Sequence, residues 1–199
     1  KTTLKTILGK TLNEYGKTYF SQKSYNNHIG VPLSLCNLEN DHKYGVFEIG
    51  MSNAGEIGKL SNLVKPDIAI ITNIGEAHVK NFDNLDGIAK AKSEIIENIN
   101  KGGHLILNSD EKYFKYLSRI ARKNKINVLS FGKSKKSNAK LVKNKLYRNY
   151  NNLHFKVLKK NIYLRVKNVN SLIISNILFT LITLYILDLD LTKIINFSK

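Results

Sequence analysis

Cysteine is nearly missing from this chain: Cys36 is the only one in 199 residues, so an internal disulfide is excluded and a reducing compartment is expected. Tryptophan is absent, and proline occurs only at Pro32 and Pro66, which leaves no proline-rich linker or recognition segment. Acidic residues are scarce, 15 Asp and Glu against 32 Lys and Arg, for a net charge of +17. Long apolar runs are missing too. The longest stretch, 172–187, is interrupted by Ser175, Asn176, Thr180 and Thr183 and falls short of the roughly 20 residues that span a bilayer. It reads as a buried helix, and the opening KTTLKTILGK does not read as a signal peptide. The expectation is a cytoplasmic protein without a membrane partner.

What is present suits a folded domain. Hydrophobic residues make up 42% and aromatics 9%, enough for one good core at this length. The basic balance raises the possibility of nucleic-acid binding. Yet the lysines read as scattered among abundant Asn and Ile, as an AT-rich genome would impose, and the densest cluster, 133–145, contains no aromatic residue. The expectation is therefore no nucleic-acid partner, with a basic surface suited to nucleotides.

The apolar periodicity alternates between strand and helix. Leu4, Ile7, Leu8 and Leu12 predict a helix over 2–15 that stops at Gly16. Strands are predicted at 44–49, 67–72, 104–107 and 127–131, with helices at 56–64, 85–99 and 113–123 between them. This order is that of βαβ units and a parallel sheet. After Gly132 the pattern predicts short antiparallel strands at 139–147, 153–158 and 162–166, turning at Asn151-Asn152 and Lys160-Asn161, then a helix over 171–187. The fold class is α/β: a mostly parallel sheet flanked by helices, with a small antiparallel β extension. Such a sheet usually begins with a strand before its first helix, so a strand ahead of Lys1 is expected.

Polar residues cluster where strands end, and ligands of open α/β sheets bind outside the carboxyl ends of strands. Glu48 follows the first predicted strand; it is either a cation ligand or a satisfied acid at a strand end. His78, in TNIGEAH, follows the second, and a lone histidine is more often structural. Lys1-Thr2-Thr3 opens a helix, as the last residues of a phosphate-binding loop do, or as a lysine and a capping threonine do. Lys90 and Lys92 lie on a helix but not on one face, and a solvated basic helix is the plain alternative. Asn108 and Asp110 in LILNSDE, and Asn26-Asn27 in YNNHIGVP, are ligand contacts or turn and cap residues.

Taken together, the segments NNHIGVPLSL, EIGMSNAGEIGKL, KPDIAIITNIGEAH, GIAKAKSEI and LILNSDE resemble the central ATPase domain of the Mur ligase family over about 1–130. The resemblance implies ATP and two Mg²⁺ ions as cofactors. It implies Lys1 on the phosphates, with Thr2, Thr3, Asn26, Asn27 and Asn108 as further nucleotide contacts. Thr2, Glu48, His78 and a carbamylated Lys92 are the implied metal positions, and Lys1, Lys92 and His78 the catalytic residues. The patterns NNxxGxP and ExGxxxxGEI favour the member that joins D-alanyl-D-alanine to a UDP-N-acetylmuramoyl tripeptide through an acyl phosphate, in peptidoglycan precursor synthesis. A monomer is expected. The implied boundaries are a central ATP-binding domain at 1–187, lacking its first strand and the glycine part of the phosphate loop, and the start of a linker at 188–199.

The chain departs from the family where a His-Asn pair usually precedes the last central helix: here the sequence reads VKNVNSLIISN, without histidine. Another Mur-type ligase, or a ligase of the folylpolyglutamate or cyanophycin synthetase kind, is the alternative within the superfamily. A basic nucleic-acid-binding module is the distant one.

Overall fold

The computed structural model describes residues 1–75, 81–82, 84–167 and 169–194. Three apolar strands, β3 (Ile68–Ile71), β4 (His104–Asn108) and β5 (Asn127–Phe131), pair in parallel at its centre. Along β4, Ile106 faces one core cluster while Leu105 and Leu107 face another. A strand buried on both faces reads as a continuous apolar run, and LIL is one. On one face lie α1 (Thr2–Asn13) and α6 (Ser171–Ile186); on the other lie α4 (Leu85–Ser93) and α5 (Phe114–Lys123). The expected α/β architecture is thus present.

The antiparallel extension belongs to the same sheet. β6 (Ala139–Leu146) joins β5 in parallel through the Phe131–Ala139 pair, and β7 (Asn151–Val157) and β8 (Lys160–Val166) follow antiparallel. Both turns come earlier in the chain than predicted. Asn151 and Asn152 are strand residues, and the first reversal is closed by the Tyr147 N–H donating to the Tyr150 carbonyl. The second turns at Leu158 (φ +50°) and Lys159, not at Lys160-Asn161. The Asn151 side chain is buried and bonds Asn144 Oδ1, so its amide serves packing rather than a turn.

Other boundaries shift for visible reasons. β1 (Thr18–Phe20) pairs in parallel with β2 (Tyr44–Val46), and its three residues are too few for any periodic signal. α2 (Gly30–Cys36) carries Pro32 in its first turn, where a missing N–H costs no helical bond. β2 is shorter than the predicted 44–49, because Glu48 and Ile49 leave the ladder for side-chain partners. The helix predicted over 85–99 tightens to a 3-10 helix (Glu94–Asn98). There the Glu94 carboxylate accepts the Gly55 and Gly58 N–H groups at the start of α3 (Glu56–Val64), and Asn98 donates to Gly58 O and Ser61 Oγ.

α6 is apolar on every side and ends as predicted, with Leu181, Ile182 and Leu184 fully buried. No helix among the described residues is long and apolar enough to cross a membrane. Between β2 and β3, each paired along one edge only, lies a cleft of about 440 Å³, lined also by Lys1, Leu4 and Leu8 of the α1 segment.

Phe179 (1% exposed) packs edge-on against Phe131 at 4.7 Å and ties α6 to the sheet. Phe179→Ala should lower unfolding free energy by about 3–5 kcal/mol in urea titrations. A loss under about 1 kcal/mol would mean that α6 is not anchored there.

Candidate active site

Glu48 is the most closely held polar residue described at the strand ends. It is 6% exposed, and its own N–H donates to Ser21 Oγ at 3.2 Å. Its Oε1 accepts from Asn26 Nδ2 at 3.0 Å, while the Lys5 ammonium stands 3.8 Å from Oε2. Oε2 itself is buried without a hydrogen-bond partner among the described residues. A buried carboxylate that retains an unused oxygen is poised for a cation or a donor from a ligand, since leaving it unmet is costly.

Two lysines on α1 serve this corner. Lys1 lies at the helix start and donates to the Ile49 carbonyl at 3.2 Å. Lys5, one helical turn on, is 5% exposed and also donates to the Lys23 carbonyl. Thr2 and Thr3 stand exposed in the first turn, where backbone N–H groups lack helical acceptors. That end carries the positive pole of the helix dipole and favours anions.

Asn26 and Asn27 divide their work. Asn26 is held against the strand end by the Gly50 N–H donating to its carbonyl at 2.7 Å, and its amide serves Glu48. A Cβ on Gly50 would stand 3.0 Å from the Asn26 side chain, tight enough that this side chain would have to give way. Asn27 accepts from the Gly30 and Ile29 N–H groups at 2.8 and 3.2 Å and caps α2, a structural use.

Lys92 comes to the site from α4. It is half-buried and donates to the Asn73 carbonyl just past β3, at 2.8 Å. Burial, and then the Lys1 charge, lower its pKa from the ordinary lysine value, against a smaller opposing pull from Glu111. Lys1 and Lys92 are therefore electrostatic neighbours, while Lys90 is exposed. Asn108 closes a turn after β4 by accepting the Asp110 N–H at 3.0 Å, and Asp110 in turn accepts the Lys133 N–H. His78 lies outside the described residues.

The model of the family described as the Mur ligase middle domain matches residues 1–184. The chain belongs to this family. It is 39% identical, over 138 residues, to the UDP-N-acetylmuramoyl-tripeptide–D-alanyl-D-alanine ligase of Buchnera aphidicola from Acyrthosiphon pisum, covering 69% of this chain and 30% of that protein. Among solved structures, MurF from Acinetobacter baumannii superposes with a TM-score of 0.91 at 26% identity, over all of this chain and 44% of that one. MurF from Thermotoga maritima in complex with ADP shares the fold, with a TM-score of 0.84 at 23% identity over 97% of this chain and 45% of that one. The chain thus spans less than half the length of these relatives.

Within this Mur ligase domain the fold brings Lys1, Glu48, Asn26 and Lys92 to one end of the parallel strands. It uses Asn27 and Asn108 in backbone bonds that shape loops. Sequence reasoning missed Lys5, Ser21 and Asn73. The Lys1-x-x-x-Lys5 spacing was a signal for Lys5, because residues four apart share a helix face. Ser21 and Asn73 act through short contacts that leave no pattern. Another cluster, Glu39, Asp41 and His42, lies on the surface, and the Lys17 ammonium already bridges its two carboxylates.

Removing one partner of a buried ion pair leaves an unmatched charge. Lys5→Met should therefore destabilise the chain by about 3 kcal/mol, with Glu48→Gln recovering much of the loss in the double variant. Additive effects in that double-mutant cycle, measured by chemical denaturation, would rule out the coupling.

Proposed function

We propose that this chain is the nucleotide-handling part of an ATP-dependent amide ligase that adds D-alanyl-D-alanine to a UDP-N-acetylmuramoyl tripeptide in peptidoglycan precursor synthesis. The observation that carries the reading is the buried Glu48 carboxylate, one of whose oxygens takes no hydrogen bond among the described residues, set beside the positive start of α1. The name of the Buchnera relative supplies the substrates, and the ADP of the Thermotoga structure supplies the nucleotide class.

In this reading Lys1 and the first-turn N–H groups of α1 hold the terminal phosphates, with Thr2 and Thr3 beside them. Asn26 orients Glu48, and Asn108 shapes the loop that meets the base. Mg²⁺ prefers oxygen ligands, and the donor set fits it: Glu48, the Thr2 hydroxyl and a carbamylated Lys92, with His78 as the implied nitrogen donor. When bound, the cation neutralises phosphate charge during transfer. The tripeptide carboxylate takes the terminal phosphoryl group and becomes an acyl phosphate. The dipeptide amine then displaces phosphate and forms the amide. Lys1 supplies positive charge at the position where phosphate charge builds up, while Lys92 as a carbamate would offer oxygen to the cation.

The cleft between the open edges of β2 and β3 suits one further strand, which would pair with both edges. A strand ahead of Lys1, followed by a glycine-rich turn, is the natural occupant and would complete the phosphate loop. In the same reading 1–187 is the central ATP-binding domain and 188–199 begins a linker. The longer protein works as a cytoplasmic monomer, and the fragment alone does not turn over.

The longer protein should release phosphate only when ATP, the UDP-muramoyl tripeptide and D-alanyl-D-alanine are all supplied. Release with a different acceptor and none with this one would overturn the substrate assignment. Glu48→Ala should lower kcat by about a hundredfold or more, the scale for losing an electrostatic contributor to a transition state. Labelled bicarbonate should give a carbamate carbon resonance that Lys92→Ala removes. A protein active without that resonance would exclude the modification.

A further inference from the structure

The charge of this chain is not spread evenly. All 15 acidic residues lie in 1–111 and 188–199, while 112–187 holds 18 of the 32 lysines and arginines and no acid. A compositional bias towards lysine acts on a whole chain and does not clear Asp and Glu from one continuous stretch. The fold then concentrates this segment. Buried Leu153, Phe155, Val157, Ile162 and Val166 turn one face of β7 and β8 to the core. Strand alternation sends His154, Lys156, Tyr163 and Arg165 to the other face.

The register builds the outer face in rows. Lys140 stands opposite Lys156, and Lys143 opposite His154, which is opposite Tyr163. Lys145 and Arg165 flank Asn152. Like charges directly across a ladder are destabilising, so the Lys140–Lys156 pair costs stability that an anionic partner would restore. The aromatics absent from 133–145 in sequence arrive in space. The His154 and Tyr163 rings stack at 4.5 Å and 14°, and Tyr163 is 71% exposed. At the rim Tyr147 stacks on Tyr150 at 4.7 Å, and the Arg165 guanidinium lies 4.4 Å over Tyr150.

We propose that the outer face of β6, β7 and β8 binds single-stranded nucleic acid, with Tyr163 on His154 as a base-stacking platform and Lys140, Lys143, Lys145, Lys156 and Arg165 tracking the phosphates. An open sheet face with central aromatics and flanking cations is how single strands are held without a groove. The face is about 17 Å along the strands, room for roughly three nucleotides. The exposed aromatic pair favours bases over a bare polyanion or an anionic lipid surface, neither of which offers rings to stack. This inference does not depend on the ligase reading, because it uses none of the residues at the strand ends of the nucleotide site.

The test is fluorescence anisotropy of a short labelled oligouridylate with the 199-residue chain at low salt, followed by a salt titration. Binding should weaken linearly in log–log form as salt rises. Tyr163→Leu, which keeps apolar bulk and should leave the unfolding midpoint unchanged, should weaken binding about tenfold. Lys143→Glu with Lys145→Glu should abolish it. No binding at low salt overturns the proposal, as does binding that both variants leave intact. Equal affinity for heparin or phosphatidylserine vesicles, indifferent to Tyr163→Leu, also overturns it in favour of a generic anion surface.

Discussion

The candidate site depends on one buried carboxylate. Glu48 is removed from water at the end of β2, and four elements are arranged to tolerate it: the Lys5 ammonium from α1, the Asn26 amide from the next loop, Ser21 after β1, and the Ile49 turn held by Lys1. An isolated charge there would be expelled or neutralised. Because each partner comes from a different element, satisfying Glu48 also sets where α1 begins and how the Asn26 loop lies against β2. One of its oxygens still has no hydrogen-bond partner. The arrangement sets a positive charge and an amide donor on the carboxylate and leaves that oxygen without a hydrogen bond among the described residues.

The same economy shapes Lys92. A half-buried amine beside another lysine is less basic than an exposed one, and here burial is the larger cause. Its place on α4 is fixed by apolar contacts of Ile88, Ala89 and Ala91 on two sides of that helix. Its reach to Asn73 joins α4 to the end of β3. The site is thus assembled from strand ends, the start of α1 and the end of α4, whose positions the apolar clusters decide.

The layered architecture was legible because β4 and α6 are apolar on all sides and no surface element can be. The sequence singled out Glu48 and Lys92 by resemblance, but not their physical state. Nothing in a linear sequence says that Glu48 is buried against Lys5 or that burial lowers the basicity of Lys92. Asn27 and Asn108 illustrate the converse. Asparagine at a loop is both a ligand contact and a cap residue by type, and only geometry reveals that their oxygens are engaged by backbone N–H groups. The turn errors have one cause: Asn151 and Asn152 look like turn residues, yet one is buried in the sheet and the other pairs with Arg165.

Strand alternation sorts lysines by face, and the three-residue rows of β6, β7 and β8 bring together side chains that are far apart in sequence. Segregation also has a physical consequence for the two ends of the molecule. The segment 1–111, with 12 lysines and 13 acids, is close to neutral, so the attraction proposed for phosphates at α1 rests on local geometry rather than on net charge. The segment 112–187 acts by field instead, which salt screens within about 10 Å, so the two surfaces should answer differently to ionic strength even when both bind anions.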